Sequence, residues 1–168
     1  MSSHAPLPDD PIELARANWV KHGWDDAAEG MALVTSVMRV QQVFLARIEA
    51  ILRPYGLTFA RYEVLRLLAF TRRGVMPVGK IGERLQVHAT SVTPLVKRLE
   101  AAELIRRTPH PEDGRAVLAS ITSKGLDVMD RATQAIVDAR FGLSALSEEE
   151  CDQLTWLLTM PREAAGDF

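Results

Sequence analysis

The chain has 168 residues, 47% of them hydrophobic and 25% charged, with a formal net charge of −2. That length and balance fit one ordinary globular domain with a real core and exclude wholesale disorder. The single cysteine excludes an intramolecular disulfide framework or a multi-thiolate zinc site, and the longest stretch free of Asp, Glu, Lys and Arg, residues 85–96, falls short of the roughly 20 apolar residues of a membrane span.

In chain order, residues 1–10 are rich in Ser, Pro and Asp and read as a mobile arm. They hold no apolar run, so no secretory signal is expected, and the expected compartment is the cytoplasm. Asp10 and Pro11 make a helix start, cap followed by first-position proline. Ile12, Leu14, Ala15, Trp19 and Val20 then give a short amphipathic helix over residues 11–22. Residues 25–53 form the longest helical pattern, with one apolar stripe on Leu33, Val37, Val40, Phe44 and Ile51 and a second on Val34, Met38, Leu45, Ile48 and Leu52. A stripe that wide predicts burial on two sides, against the core and against another chain.

Pro54 and Gly56 break the chain, and Thr58 caps the next helix, with Arg61 where the acid of a capping box would sit. Gly74 and Pro77 follow that helix. Residues 78–85 read as a short helix, 87–90 as a tight connection and 91–102 as a helix with Val92, Leu95, Val96 and Leu99 on its apolar side. Then the pattern changes to two strands, 104–108 and 116–121, around a turn of Pro, His, Pro, Glu, Asp and Gly, which is a hairpin. Thr122 starts a helix whose stripe runs from Leu126 to Leu143, and Ser147 with Glu150 forms a capping box for the last one.

Charge is segregated along this order. Residues 72–124 carry ten basic and five acidic side chains, a net of +5, and the remainder carries −7. A local basic face is the electrostatic footprint of a duplex-binding module. The order helix, short helix, turn, helix, hairpin is a winged helix-turn-helix, so the expected fold is mainly α with a small two-stranded β wing. The helix over residues 91–102 turns Ser91, Pro94, Lys97 and Arg98 away from its apolar side, with Thr90 and Thr93 at its start. Short hydroxyls there are placed to approach base edges, and the helix N-terminus favours phosphate. Lys97 and Arg98 follow within reach of backbone or guanine. Base reading, phosphate contact and pairing with Asp113 are all open to Arg98.

These residues resemble the MarR (multiple antibiotic resistance regulator) family of bacterial transcription factors. The resemblance spans residues 31–143 and is best over 57–125. It rests on Gly56-Leu-Thr58, Ile81-Gly-Glu-Arg-Leu85, Ser91-Val-Thr93, Arg98-Leu-Glu100, Leu104-Ile-Arg-Arg107, Pro111-Glu-Asp-Gly-Arg115 and Ile121-Thr122 with Gly125. It implies a homodimer, joined through N- and C-terminal helices, that binds a pseudo-palindromic double-stranded DNA operator and is released by a small-molecule effector. It also implies a wing tip where Arg115 enters the minor groove and Asp113 orients it, which suits the enhanced negative potential of a narrow groove. The implied layout is an arm at 1–10, dimerisation helices at 11–56, the DNA-binding module at 57–122 and C-terminal dimerisation helices at 123–168. Two residues depart from the pattern. Gly114 stands where many relatives have a second Arg, leaving a less charged, more mobile tip. Pro94 lies early in the recognition helix and predicts a late helix start or a local bend.

The extra N-terminal helix resembles a subgroup that binds small anionic or aromatic ligands beside a Trp. This puts Trp19, Arg39 and Glu63 forward as ligand residues, with His22 and Arg61 as further sources of charge. Phe70 stands where that subgroup has an Arg, so its ligand chemistry does not carry over whole. The bland alternative is that Trp19 only docks the extra helix. His4, His22, His88 and His110 make no metal-ligand spacing with one another or with Cys151, which sits on a predicted apolar face. No Gly-rich phosphate loop or catalytic motif is present. No catalytic residue, metal, cofactor or membrane partner is therefore expected. Two rival readings are a small-molecule carrier or enzyme using a pocket near Trp19 and an adaptor that keeps the winged fold without binding DNA.

Overall fold

The computed structural model describes residues 7–113 and 115–168. The expected arm lies outside it as far as residue 6, as does the expectation for Gly114. The chain divides into two compact units, Met1–Ala46 and Arg47–Phe168.

In the first unit, α1 (Pro11–Lys21) starts as its residues demand, with Asp10 Oδ1 accepting from the Ile12 N–H at 2.8 Å. His22 and Gly23 (φ +80°) end it and turn the chain into α2 (Asp25–Leu52). Arg16 ties the two helices together, reaching Glu13 at 2.9 Å and Glu29 at 3.0 Å. Small Ala28 and Ala32 are buried, while Leu33, Val34, Val37, Met38 and Val40 stay exposed. Of the expected stripe, Ile48 and Leu52 are buried and the positions from Leu33 to Val40 are exposed. By length and composition, Asp25–Tyr55 is apolar enough to cross a membrane. This corrects the exclusion drawn from uncharged runs, because a helical span tolerates an isolated charge such as Arg39.

The second unit holds the core. Ile48 and Leu52 at the end of α2 join Leu57, Tyr62, Val64, Leu65 and Leu68 of the next segment, together with Ile81, Val92, Val96, Leu99, Ile105, Met129 and Ile136. A 3-10 turn, Arg53–Tyr55, and Gly56 (φ +68°) redirect the chain into α3 (Phe59–Phe70). Thr58 caps α3, its hydroxyl accepting from the Arg61 N–H at 3.4 Å and from Arg61 Nε at 3.2 Å. Arg61 thus uses the cap that an acid would otherwise complete.

After α3 come β1 (Val75–Pro77), α4 (Val78–Leu85), α5 (Ala89–Ala101), β2 (Ile105–Pro109) and β3 (Val117–Ile121). The expected hairpin is present, paired from Ile105 opposite Ile121 to Pro109 opposite Val117. It is joined by β1, which pairs antiparallel with β3 and makes a three-stranded sheet in the order β1-β3-β2.

Two helix bounds differ from expectation. α5 begins at Ala89, so the late start predicted from Pro94 does not occur. Pro94 lies inside the helix and removes the donor that the Thr90 carbonyl would use. Val92, Val96 and Leu99, each 1% exposed, anchor the opposite side. α6 (Ser123–Asp138) stops before Leu143, since Arg140, Phe141 and Gly142 all take positive φ. Arg47 Nη1 donates to the Gly142 carbonyl there at 3.1 Å. α7 (Glu148–Ala164) has the expected capping box on Ser147 and Glu150. Its Leu154, Trp156, Leu157, Leu158 and Met160 are exposed, and Cys151 is half-buried, where a core position was expected.

Gly125 shows why the module is rigid at its root. A Cβ there would lie 2.0 Å from the Leu104 carbonyl oxygen. Only glycine lets α6 approach the start of β2 this closely. Thr122 completes the joint, donating to the Glu103 carbonyl at 2.8 Å and accepting from the Gly125 N–H at 2.9 Å.

Candidate nucleic-acid interface

α4 ends at Gln86, which takes a left-handed conformation (φ +52°), and the chain turns directly into α5. His88 is the N-cap of α5. Its Nδ1 accepts from the Thr90 N–H at 3.3 Å and lies 2.8 Å from Thr90 Oγ1. The Thr90 hydroxyl, expected free to approach a base, therefore has an intramolecular partner. Ser91, Thr93, Pro94, Lys97 and Arg98 are exposed. Helical spacing sets Ser91, Pro94, Lys97 and Arg98 opposite the buried Val92, Val96 and Leu99.

The wing closes on itself through backbone. The His110 N–H donates to the Ala116 carbonyl at 3.0 Å, and the Ala116 N–H donates to the Asp113 carbonyl at 3.0 Å. Asp113 Oδ1 accepts from the Arg115 backbone N–H at 2.9 Å. Asp113 thus shapes the turn that carries Arg115, acting on its backbone. Among the described residues Arg98 makes no ion pair with Asp113, one of the three roles left open for it.

α4, α5 and the wing enclose an open cleft of about 530 Å³, lined by Lys80, Thr93, Arg107, Asp113 and Arg115 among others. Folding brings Thr93 to the same concavity as Asp113 and Arg115, some twenty residues later in the chain. Ion pairs sort the charges of this region. Lys80 pairs with Glu83, Arg107 with Glu100 and Lys124 with Glu103. Arg107 holds the Glu100 carboxyl below the usual carboxylate range, and Lys124 does the same for Glu103. Arg72, Arg73, Arg84, Lys97, Arg98, Arg106 and Arg115 are exposed, with no ion pair among the described residues. The basic surplus of the segment is thus concentrated on these seven side chains. The Glu100–Arg107 pair was not expected, although an acid seven residues ahead of a base across a tight helix-to-strand turn was visible in the sequence.

The ligand residues are placed differently. Trp19 packs edge-on against Trp24 with ring centroids 5.4 Å apart and lines a cleft with Gly23, Trp24, Asp26 and Ala27. Arg39 lines another cleft, of about 1000 Å³, with Leu7, Asp10, Ile12, Ala15 and Val40. The first unit therefore holds Trp19 and Arg39 in separate clefts. Glu63 lies in the second unit on α3, half-buried, and burial pushes its carboxyl above the usual carboxylate range. Among the described residues no cluster of His, Cys, Asp and Glu is arranged to hold a metal.

Comparison with known proteins decides the family. The MarR family model matches residues 57–117. The fold also superposes on Sco5413, a MarR family transcriptional regulator from Streptomyces coelicolor, with TM-score 0.77 and 48% identity, covering 83% of this chain and 97% of that one. The chain belongs to the MarR family. It is also 33% identical over 105 residues to the HTH-type transcriptional regulator MhqR of Bacillus subtilis (strain 168), covering 62% of this chain and 71% of MhqR. Sco3205, a MarR family regulator from Streptomyces coelicolor solved in complex with DNA, shares the fold at TM-score 0.73 and 21% identity, with 82% of this chain and 88% of that one covered. The winged helix-turn-helix of this MarR-family regulator comprises α3 to β3, close to the matched span.

Proposed function

We propose that this MarR-family regulator binds double-stranded DNA as a homodimer, acts as a repressor at a pseudo-palindromic operator and is released by a small-molecule effector. The observation that carries the DNA reading is one exposed surface. Thr93 of α5 and Arg115 of the wing line one cleft, and Ser91, Lys97 and Arg98 are exposed on the same helix, the three cations Lys97, Arg98 and Arg115 having no ion pair among the described residues. A helix of this kind enters a major groove, and an arginine on a wing suits a narrow minor groove. The DNA complex of Sco3205 supports the same use of the shared fold.

The dimer reading rests on the exposed apolar side chains of α2 and α7. We assign their cover to a second copy rather than to a membrane, because both helices flank a module of a regulator family. Residues 11–56 and 123–168 then supply dimerisation and 57–122 the DNA-binding domain, in the cytoplasm. Two α5 helices about 34–36 Å apart would read half-sites one helical turn apart. The effector reading rests on the two clefts of the first unit and on half-buried Glu63.

The test is a gel-retardation titration on the DNA upstream of the protein's own gene at two salt concentrations. Retardation that weakens steeply with salt supports the reading, since each neutralised phosphate releases counterions. No retardation at either concentration removes it in favour of a carrier. The same titration with Trp19→Ala tests the effector: unchanged DNA affinity with blunted release is expected, and unaltered release moves the effector site away from Trp19.

A further inference from the structure

We infer that Glu100 and Arg107 are positioning residues for DNA binding, a clamp that fixes the wing against the recognition helix so that both engage the duplex as one body. This rests on the DNA reading above and adds to it two residues that need make no DNA contact.

Glu100 lies near the end of α5, on the flank between its buried side and its exposed side. Arg107 is the third residue of β2. The chain between them reverses through Ala102, Glu103 (φ +62°) and Leu104. The reversal brings three donors of Arg107 to one carboxylate. Arg107 Nε and Nη2 each reach Glu100 Oε2 at 2.6 Å, and the Arg107 backbone N–H reaches Glu100 Oε1 at 3.3 Å. Both side chains are about one-third exposed, 34% and 35%. Both guanidinium donors converge on one carboxylate oxygen while the backbone N–H takes the other, so the contact restrains orientation as well as distance. The backbone donor adds a restraint that a flexible surface pair lacks.

Arg107 also lines the cleft between α5 and the wing, beside Thr93 and Arg115. The clamp therefore stands between the two parts expected to touch DNA. Gly125 and Thr122 anchor the wing at its root to α6, and the sheet holds it to β1. Above the root, the Glu100 pair is, among the described residues, the side-chain polar tie from β2 to α5. Without it β2 loses this restraint against α5 beyond its buried root, and the separation of Thr93 from Arg115 is held less tightly. Two groups held in one geometry gain from entropy already lost before binding.

The pairing makes a prediction of sign. If Arg107 instead served as a phosphate contact, Glu100 would compete with DNA for it, and Glu100→Gln would tighten binding. A clamp requires the opposite. The full-length dimer and a duplex from its own upstream region, first shown to be retarded by the unmodified protein, are the materials. Absence of that retardation would count against the DNA reading itself and not against the clamp alone. Glu100→Gln is expected to weaken binding by on the order of tenfold with the salt slope unchanged. Arg107→Lys, which keeps the charge and loses the fork, is expected to weaken it by less, also at constant slope.

The deciding arm combines these with Arg115→Ala. In the Glu100→Gln background the wing is already displaced, so Arg115→Ala should cost much less than it does alone. A thermal melt of each variant confirms folding, and Arg107→Lys carries the same test if Glu100→Gln fails to fold. Unchanged or tighter binding by Glu100→Gln overturns the clamp. So does an undiminished Arg115→Ala effect, which would leave the pair a purely structural one. A salt slope reduced by about one unit in Arg107→Ala, with tighter binding in Glu100→Gln, would make Arg107 a phosphate contact.

Discussion

The winged module and the helices that flank it use the same apolar residue types in opposite ways. The module buries Val64, Leu65, Leu68 and Ile81 completely, each at 0% exposure, and the adjoining ends of α2 and α6 add Leu52 and Ile136 to the same core. The first part of α2 leaves Leu33 at 65% and Met38 at 62%, and α7 leaves Trp156 at 65%. The module closes its core from its own chain. The flanks carry a run of exposed large apolar side chains, and contiguous patches of this kind mark interaction surfaces. The module thus closes on itself, and on the dimer reading proposed above the flanks are completed by a second copy.

Substitutions break that comparison cleanly. The largest effect is expected in the module. Leu65→Ala should cost about 3 kcal/mol in chemical denaturation, because a fully buried leucine leaves a cavity. Gly125→Ala should cost a similar amount, about 3 kcal/mol, through backbone overlap with Leu104. Neither loss should depend on protein concentration at the level of the module. Trp156→Ala on α7 should behave differently, weakening self-association by about 2 kcal/mol as read by sedimentation equilibrium. A monomeric unmodified protein at micromolar concentration would contradict the completed-by-partner reading.

Arg115→Ala comes next and affects DNA rather than folding. It should weaken operator binding by about 1–3 kcal/mol while leaving the thermal midpoint nearly constant. Asp113→Ala should cost less, because it acts through the Arg115 backbone, and the double variant should be less than additive. Full additivity would show the two to be independent.

The smallest effect is electrostatic. Burial raises the folded-state pKa of Glu63 above its unfolded value, so the unfolded chain releases that proton first as pH rises. Stability from this group is present below the ordinary carboxylate pKa and is lost as pH climbs through the folded value. Glu63→Gln should therefore gain slightly on the unmodified protein at neutral pH and lose that advantage in acid, as followed by melts across pH. An advantage that persists unchanged in acid would mean that the Glu63 charge is not the cause.

Much of this was legible from residues alone. Chemistry confined to a few neighbours could be read directly. Asp10 and Pro11 start α1, Thr58 starts α3, and Ser147 with Glu150 starts α7, because a cap needs only a side chain and an N–H two or three residues on. α4 falls on its expected residues 78–85, since Ile81 and Leu85 mark one turn between a proline and a connection. The hairpin followed from alternation around a Pro- and Gly-rich turn. The face of α5 that carries Ser91, Lys97 and Arg98 followed from its period.

What escaped depends on partners distant in sequence or on unusual local geometry. β1 is three residues long, too short to alternate, and is a strand only because β3 lies beside it. The start of α5 was misplaced because histidine is an uncommon cap, whereas His88 Nδ1 performs the task here. The break after α6 escaped because Arg140 and Phe141 take a left-handed conformation that their residue types rarely adopt. Trp19 and Arg39 looked like one pocket in the sequence and line two.

By itself, then, the sequence determined the winged helix-turn-helix, its family and the basic exposed face of α5. Each of these is written in local periodicity, caps and the order of short motifs. Only the tertiary structure decided that Thr93 and Arg115 share a cleft, that Arg107 is held by Glu100 and that the stripe of α2 is buried at Ile48 and Leu52 but exposed from Leu33 to Val40. Those facts depend on where the chain returns in space, and hydrogen bonds and burial between remote segments are set by packing rather than by spacing along the chain.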